Sequence, residues 1–158
     1  MNNQKICTFY ISEFHLLTIL LPYINGKLLE EKEIAVILQN DISGNVKTYL
    51  KNVRNLNLDN EKIINIGWNK SSEKELENDL NGKYIIVVGS KEYIEKVNSK
   101  IIQNFTTEEI LNCYKVNEIE RIDKILMNHS KVLNTRGKRD VKKFSQNAQK
   151  SKTIRTQI

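Results

Sequence analysis

Polar, charged and aromatic residues that suit binding or catalysis follow the apolar runs of this 158-residue chain. They are Ser12, Glu13, His15, Gln39, Asn40, Asp41, Trp68, Asn69, Gly89 and Ser90. The carboxyl ends of parallel strands meet at one edge of a sheet, and open α/β sheets bind ligands there. If the apolar runs are such strands, the sequence predicts a small-ligand or partner site at that edge. Its predicted residues are Ser12, Glu13, His15, Asp41, Trp68, Gly89 and Ser90.

Two of these residues also have a simpler structural interpretation. Trp68, the only tryptophan, could form an aromatic wall of a ligand pocket, but a partly buried packing residue is the preferred interpretation. Gly89 and Ser90 could offer helix N-terminal amides to an anion. An ordinary N-cap at Ser90 explains the same residues and is preferred.

The loop after the first apolar run argues against ATP binding in the manner of phosphate-loop proteins. That motif needs glycines, a lysine and a serine or threonine to cradle phosphates. Residues 12–15 contain neither glycine nor lysine, and they include an acid. No order of residues matches a known nucleophile arrangement. Metal-ligand spacing is absent around Cys7, His15, Cys113 and His129. The sequence therefore predicts a non-catalytic protein with no cofactor and no metal.

Net charge is divided unevenly along the chain. Residues 134–158 hold eight Lys/Arg and one acid, a net charge of +7, whereas residues 1–133 have a net charge of −1. Spaced cations can neutralise phosphates, and a solubilising tail explains them equally well. Candidate contacts with nucleic acid or an acidic partner are Arg136, Lys138, Arg139, Lys142 and Lys143. Only Phe144 could stack on bases, so sequence-specific recognition is not predicted.

Strand-like and helical patterns alternate five times in the first 133 residues. Strands are predicted at residues 6–11, 34–38, 62–68, 84–88 and 110–114. Helices are predicted at 13–25, from Asp41 or Ser43, from a capping box at Ser72 and Glu75, after Ser90, and at 116–133. Pro22 should bend or end the first helix, with a turn at Asn25-Gly26. This alternation predicts an α/β fold, a mostly parallel five-stranded sheet with helices on both faces.

Apolar periodicity ends near Leu133, which predicts one α/β domain over residues 1–135 and a basic tail over 136–158. The tail is too polar to offset its ordering entropy and should be disordered when alone. No apolar stretch is long enough to cross a bilayer. Two cysteines fit a reducing compartment, and the N-terminus lacks the apolar segment of a signal peptide. These features predict a cytoplasmic protein.

The order of residues at both ends resembles a known sensory domain. Phe9-Tyr10-Ile11-Ser12-Glu13, followed by Leu16-Leu17 and Pro22-Tyr23-Ile24, is similar to the opening of the MEDS domain of methanogen and methylotroph regulators. Near its end the family has a strand that closes on Cys-x-Tyr and a helix that ends in His-Pro before a glycine; Cys113-Tyr114 and His129-Ser130 before Gly137 resemble this pattern, without the residue between Cys and Tyr and with Ser130 in place of the proline. The resemblance covers roughly residues 5–137. It implies a RecA-like, Rossmann-like three-layer sandwich without a phosphate-binding loop, used for sensing and signal transduction.

Three functions remain open on this sequence. The leading one is a non-catalytic sensory or regulatory protein that binds a small ligand or a protein partner, in signalling or transcriptional control. The second is a nucleic-acid-associated protein that binds weakly through its basic tail. The third is an enzyme on the same α/β scaffold, since one fold hosts many functions.

Overall fold

A six-stranded, mostly parallel sheet forms the centre of the molecule. The structure, a computed structural model, describes residues 3–53 and 58–141. The strands are β1 (Lys5–Tyr10), β2 (Ile34–Leu38), β3 (Tyr84–Val88), β4 (Glu109–Lys115), β5 (Lys131–Asn134) and β6 (Gly137–Asp140). Their order is β2-β3-β4-β1-β5-β6. Neighbouring strands from β2 to β5 are parallel, and β6 is antiparallel to β5.

Helices cover both faces of this sheet, as the sequence predicts. They are α1 (Glu13–Leu29), α2 (Ser43–Asn52), α3 (Asn60–Asn65), α4 (Lys91–Asn104) and α5 (Ile122–Leu126), with 3₁₀ turns at Glu73–Glu77 and Val116–Glu118. One apolar cluster packs α1, α2 and α3 on the sheet, and a second packs α4 and α5 on its other face. The α/β sandwich is therefore confirmed, with six strands rather than five. None of the described helices is long and apolar enough to cross a membrane.

Helix α1 continues through Pro22 to Leu29, so the predicted end near Asn25 is wrong. A proline inside a helix removes one backbone hydrogen bond. Leu21 and Ile24 on either side of Pro22 are buried against the sheet. Burial of such side chains stabilises by about 1.5–3 kcal/mol each, which outweighs the missing bond.

The strand predicted at residues 62–68 is wrong, because this segment contains α3 and a turn. Asp59 caps α3 by accepting the backbone N–H of Lys62 at 3.2 Å. Ile63 is completely buried, whereas Ile64 is partly exposed. The apolar residues of this segment therefore follow a helical face packed on α1 and α2, not a strand buried on both sides.

The long helix predicted at residues 116–133 is also wrong. Only Val116–Glu118 and Ile122–Leu126 are helical, and Lys131–Asn134 forms β5. β5 pairs with the open side of β1, where Cys7 lies opposite Val132. Pairing satisfies backbone groups of β1 that would otherwise be buried without partners, and it buries Val132 and Leu133.

The predicted capping box at Ser72 and Glu75 is replaced by a short 3₁₀ turn at Glu73–Glu77, in which the Ser72 side chain makes no capping hydrogen bond. The preceding residue has a different role. The Ser71 N–H donates to the Leu38 carbonyl at 2.9 Å, and the Ser71 Oγ accepts the Leu38 N–H at 2.9 Å. Ser71 thus occupies the outer edge of β2, because an unpaired edge would leave both backbone groups without partners.

Residues 137–140, which the sequence assigned to the basic tail, form β6. Gly137 begins this strand with φ of 109°, a conformation that favours glycine. Lys138 lies opposite Leu133, and Asp140 lies opposite Lys131. The remaining tail residues 142–158, including Lys142 and Lys143, lie outside the described residues.

Candidate functional site

At the end of β1, the predicted site residues are occupied by local hydrogen bonds. Ser12 caps α1, its Oγ accepting the His15 N–H at 3.2 Å. The imidazole of His15 folds back, and its Nδ1 accepts the Ile11 N–H at 3.0 Å. Partial burial lowers the pKa of His15 below its usual value. Glu13 reaches towards the neighbouring strand β4, its carboxylate 3.9 Å from Lys115 Nζ.

Asp41 and Trp68 have equally local roles. Asp41 Oδ1 accepts the Ser43 N–H at 2.8 Å and the Ser43 hydroxyl at 2.7 Å, and these bonds lower the pKa of Asp41. Trp68 is 3 % exposed within the apolar cluster of α1, α2 and α3. Its Nε1–H donates to the Ile63 carbonyl at 2.8 Å. The structure thus places Trp68 as a packing residue that closes the turn after α3.

Gly89 and Ser90 form the tight turn from β3 into α4. Ser90 caps α4, with its Oγ accepting the Tyr93 N–H at 3.2 Å. The Ser90 N–H donates to Gln39 Oε1 at 2.7 Å, so this amide already has an acceptor. Gly89 lies so close to this arrangement that a Cβ there would stand 2.5 Å from Tyr93 Cδ2 and 2.8 Å from Gln39 Oε1.

Gly89→Ala is therefore expected to destabilise the fold by about 1–3 kcal/mol, because the methyl group would displace the Gln39 amide from Ser90. Urea unfolding monitored by circular dichroism would measure the change. The matched control is Gly26→Ala inside α1, where a Cβ meets nothing within 4 Å. It should stabilise by about 0.5–1 kcal/mol, since alanine restricts the unfolded chain. Equal effects of the two substitutions would contradict this description of the turn.

A cavity lies between α4 and α5, away from most of the predicted site residues. This α4–α5 groove has a volume of about 530 Å³. Its polar and charged lining residues are Lys5, Lys91, Glu95, Asn98, Ser99, Asn112, Tyr114, Lys124, Asn128 and His129. Its volume lies within the range of small-molecule sites, about 300–1,000 Å³.

The floor of the α4–α5 groove is a buried cluster of three polar side chains. Asn98 Nδ2 donates to Asn112 Oδ1 at 2.9 Å, and Asn112 Nδ2 donates back to Asn98 Oδ1 at 2.8 Å. Asn112 Nδ2 also lies 3.0 Å from His129 Nε2. Asn112 is 1 % exposed, Asn98 5 % and His129 9 %. Buried amides are costly unless they are bonded in this way.

Hydrogen-bond chemistry determines the state of His129. Its Nδ1 lies 2.6 Å from the Ile125 carbonyl, which can only accept, so Nδ1 carries the hydrogen. Nε2 is then free to accept from Asn112. Burial lowers the pKa of His129 to about 4; the hydrogen bond to the Ile125 carbonyl opposes this shift, and the positive charge of Lys5 adds a smaller contribution that lowers the pKa. The imidazole is therefore neutral near pH 7, and the whole floor is uncharged.

The sequence analysis did not predict the floor cluster. Asn98, Asn112 and His129 come from α4, β4 and the turn after α5, and the fold alone brings them together. One signal was present in the sequence. Asn112 interrupts the apolar run Ile110-Leu111-Asn112-Cys113-Tyr114, where an amide needs buried partners.

One predicted residue does lie near the α4–α5 groove. A neighbouring cavity of 400 Å³ at the start of α4 is lined by Ser90, and it shares Lys91 and Lys124 with the groove. The carboxyl edge of the sheet is thus connected with the groove through these two lysines. Of the predicted ligand residues, Ser90 lines this cavity, and the other six do not line the groove.

The candidate nucleic-acid residues occupy different environments. Arg136 and Arg139 are exposed on the β5–β6 hairpin. Lys138 turns inward, and its Nζ lies 2.8 Å from Glu109 Oε2, a carboxylate that is 5 % exposed. The Tyr23 hydroxyl donates to the other oxygen of Glu109. Burial and the neighbouring carboxylate raise the pKa of Tyr23. Lys138 is therefore paired with a buried carboxylate, although its own side chain is 32 % exposed.

Cysteine and metal chemistry find little support in the described part of the chain. Cys7 and Cys113 are buried free thiols that belong to apolar clusters on opposite faces of the sheet. Burial raises the pKa of both thiols, which keeps them protonated and unreactive. Over residues 3–53 and 58–141, no three His, Cys, Asp or Glu side chains are grouped so that they could hold a metal ion.

Comparisons of this chain with family models, with curated proteins and with solved structures found no match. The functional interpretation therefore depends on the residues of the α4–α5 groove and on the sequence resemblance described above.

Proposed function

We propose that this chain is a non-catalytic sensory or regulatory protein that binds a small polar ligand in the α4–α5 groove. The observation that carries the proposal is the uncharged cluster of Asn98, Asn112 and His129 at the floor of a 530 Å³ cavity. Apolar side chains of equal size would pack this layer without the need for matched hydrogen bonds. Polar groups at the floor of a pocket can instead orient a ligand and make its binding specific.

Two further features support this proposal. The resemblance to the MEDS domain favours a RecA-like, Rossmann-like sensory module, and the α/β sandwich is compatible with it. Mutual hydrogen bonds hold the floor side chains in place before any ligand binds, as in a preformed binding site. Among the described residues, no acid or base of the groove is hydrogen-bonded to the hydroxyl of Ser99 or Tyr114, and we take this to favour binding over catalysis.

Binding can be tested by thermal unfolding in the presence of a library of small polar metabolites. Ser99 is exposed on the rim of the α4–α5 groove, so Ser99→Trp should obstruct the groove without disturbing the core. The matched control is Ser72→Trp, at an exposed serine that lines no described cavity and makes no capping bond. We expect at least one compound to stabilise the native protein and the Ser72 variant but not the Ser99 variant. At a concentration of about 100 times Kd the gain should be about 2.7 kcal/mol.

Recovery of the bound compound unchanged after prolonged incubation would distinguish a sensor from an enzyme. Conversion of the compound would favour the alternative of an α/β enzyme. A library in which no compound stabilises the protein, or in which Ser99→Trp responds like the native chain, would contradict a ligand site in the groove.

Nucleic-acid association through the basic tail is the second candidate function. The exposed side chains of Arg136 and Arg139 on the hairpin favour it, whereas Lys138 is engaged with Glu109. Binding to duplex DNA should then be weak, independent of sequence, and reduced by salt with a slope of about −0.9 per neutralised phosphate. Affinity that does not change with salt would exclude this function.

A further inference from the structure

The α4–α5 groove is lined by more positively charged than negatively charged side chains. Three lysines and one acid line it, and Lys91 pairs with Glu95 across 3.7 Å. Among the described residues, Lys5 and Lys124 have no carboxylate within ion-pair distance. Two unpaired ammonium groups therefore stand at the rim of a cavity whose floor is neutral.

Hydrogen-bond donors at the floor remain available in addition to these charges. Asn98 Nδ2 carries two hydrogens, and only one of them has an acceptor, Asn112, among the described residues. Tyr114 also lines the groove, and its hydroxyl has no hydrogen-bond partner in the described part of the chain. Burial raises the pKa of Tyr114, so the hydroxyl keeps its proton and can donate. The groove thus offers ammonium, amide and phenol donors together.

We propose that the α4–α5 groove takes a small organic anion, whose carboxylate or phosphate lies between Lys5 and Lys124 while its body contacts Asn98 and Tyr114. This inference rests on the proposed function, since it names the ligand class of the same groove. Hydrogen bonds from a charged donor to an anionic oxygen are the strong ones. A cationic ligand would meet two uncompensated lysines, and a neutral ligand would leave them unused.

The test uses two probes, acetate and inorganic phosphate, each titrated into the isotopically labelled full chain and followed by two-dimensional NMR. We expect saturable shifts of the side-chain amide signals of Asn98 and Asn112, with chloride at equal ionic strength giving none. Lys5→Met combined with Lys124→Met should weaken binding of the better probe at least about tenfold. Loss of even one hydrogen bond between an ammonium group and an anionic oxygen lowers the affinity by about that factor.

The control is Lys47→Met combined with Lys51→Met on the exposed side of α2, which should leave the affinity unchanged. Shifts that are spread over the surface, that do not saturate, or that persist in the Lys5/Lys124 variant would overturn the anion proposal. A different result would exclude the anionic ligand but keep the proposed ligand-binding function. Neutral metabolites that stabilise the native chain but not Ser99→Trp would preserve a ligand-binding sensor while excluding an anionic ligand.

Discussion

Replacing Lys138 with methionine should lower the free energy of unfolding by about 2–3 kcal/mol. The substitution leaves the Glu109 carboxylate, which is 5 % exposed, with the Tyr23 hydroxyl and no cation in contact. Removing one partner of a buried ion pair typically costs about 3–5 kcal/mol, and the expected value is smaller because Lys138 is 32 % exposed. Urea unfolding at pH 7 measures the change.

Two variants accompany this experiment. Arg139→Met removes the adjacent charge of β6 at an exposed position and should have no measurable effect. Combining Lys138→Met with Glu109→Gln should recover much of the loss, because the glutamine can still accept from Tyr23 without a buried charge. If Lys138→Met behaved like Arg139→Met, residues 137–140 would not be anchored to the domain, and the predicted boundary at residue 135 would be preferable.

Stability should also fall in acid because of His129. Its pKa is about 4 in the folded protein and about 6.5 when unfolded, so the unfolded chain takes up a proton first as the pH falls. This contribution is present in full above pH 6.5 and is lost as the pH falls towards 4. Between pH 7.5 and 5 the loss should be about 2 kcal/mol.

Two variants isolate this contribution from the titration of the carboxylates. His129→Gln keeps an acceptor near Asn112 and cannot be protonated, so its stability should fall less between pH 7.5 and 5 than that of the native chain. His15→Gln is the matched control, at the other, half-buried histidine, and it should retain nearly all of the dependence on pH. Identical pH profiles for His129→Gln and the native chain would show that His129 titrates normally and that the floor cluster is not rigid.

Local sequence determined the three neighbouring strands β2, β3 and β4. β2 and β3 coincide with the predicted runs, and β4 extends its run by one residue at each end. Such continuous apolar runs suit strands buried on both faces, whatever surrounds them. The N-caps at Ser12 and Ser90 were predictable for the same reason, since a capping bond needs only the next three residues.

Other elements depended on tertiary contacts that no local pattern records. Residues 62–68 have an apolar spacing that fits a strand or a helix, and packing of Ile63 between α1 and α2 selected the helix. Val132 and Leu133 follow a helical period in sequence, yet the open edge of β1 gained a partner by pairing with them as a strand. Satisfying buried backbone groups outweighed the local preference.

The candidate site shows the same division. The residues predicted to form a site make local bonds instead. Ser12 and Asp41 bond within the starts of their own helices, and Trp68 closes the turn after α3. Asn98, Asn112 and His129 are separated by at least 14 residues, and only the placement of α4 and α5 over β4 makes them neighbours. Sequence records which side chains are polar, whereas the buried position that makes their hydrogen bonds obligatory is decided by the tertiary structure.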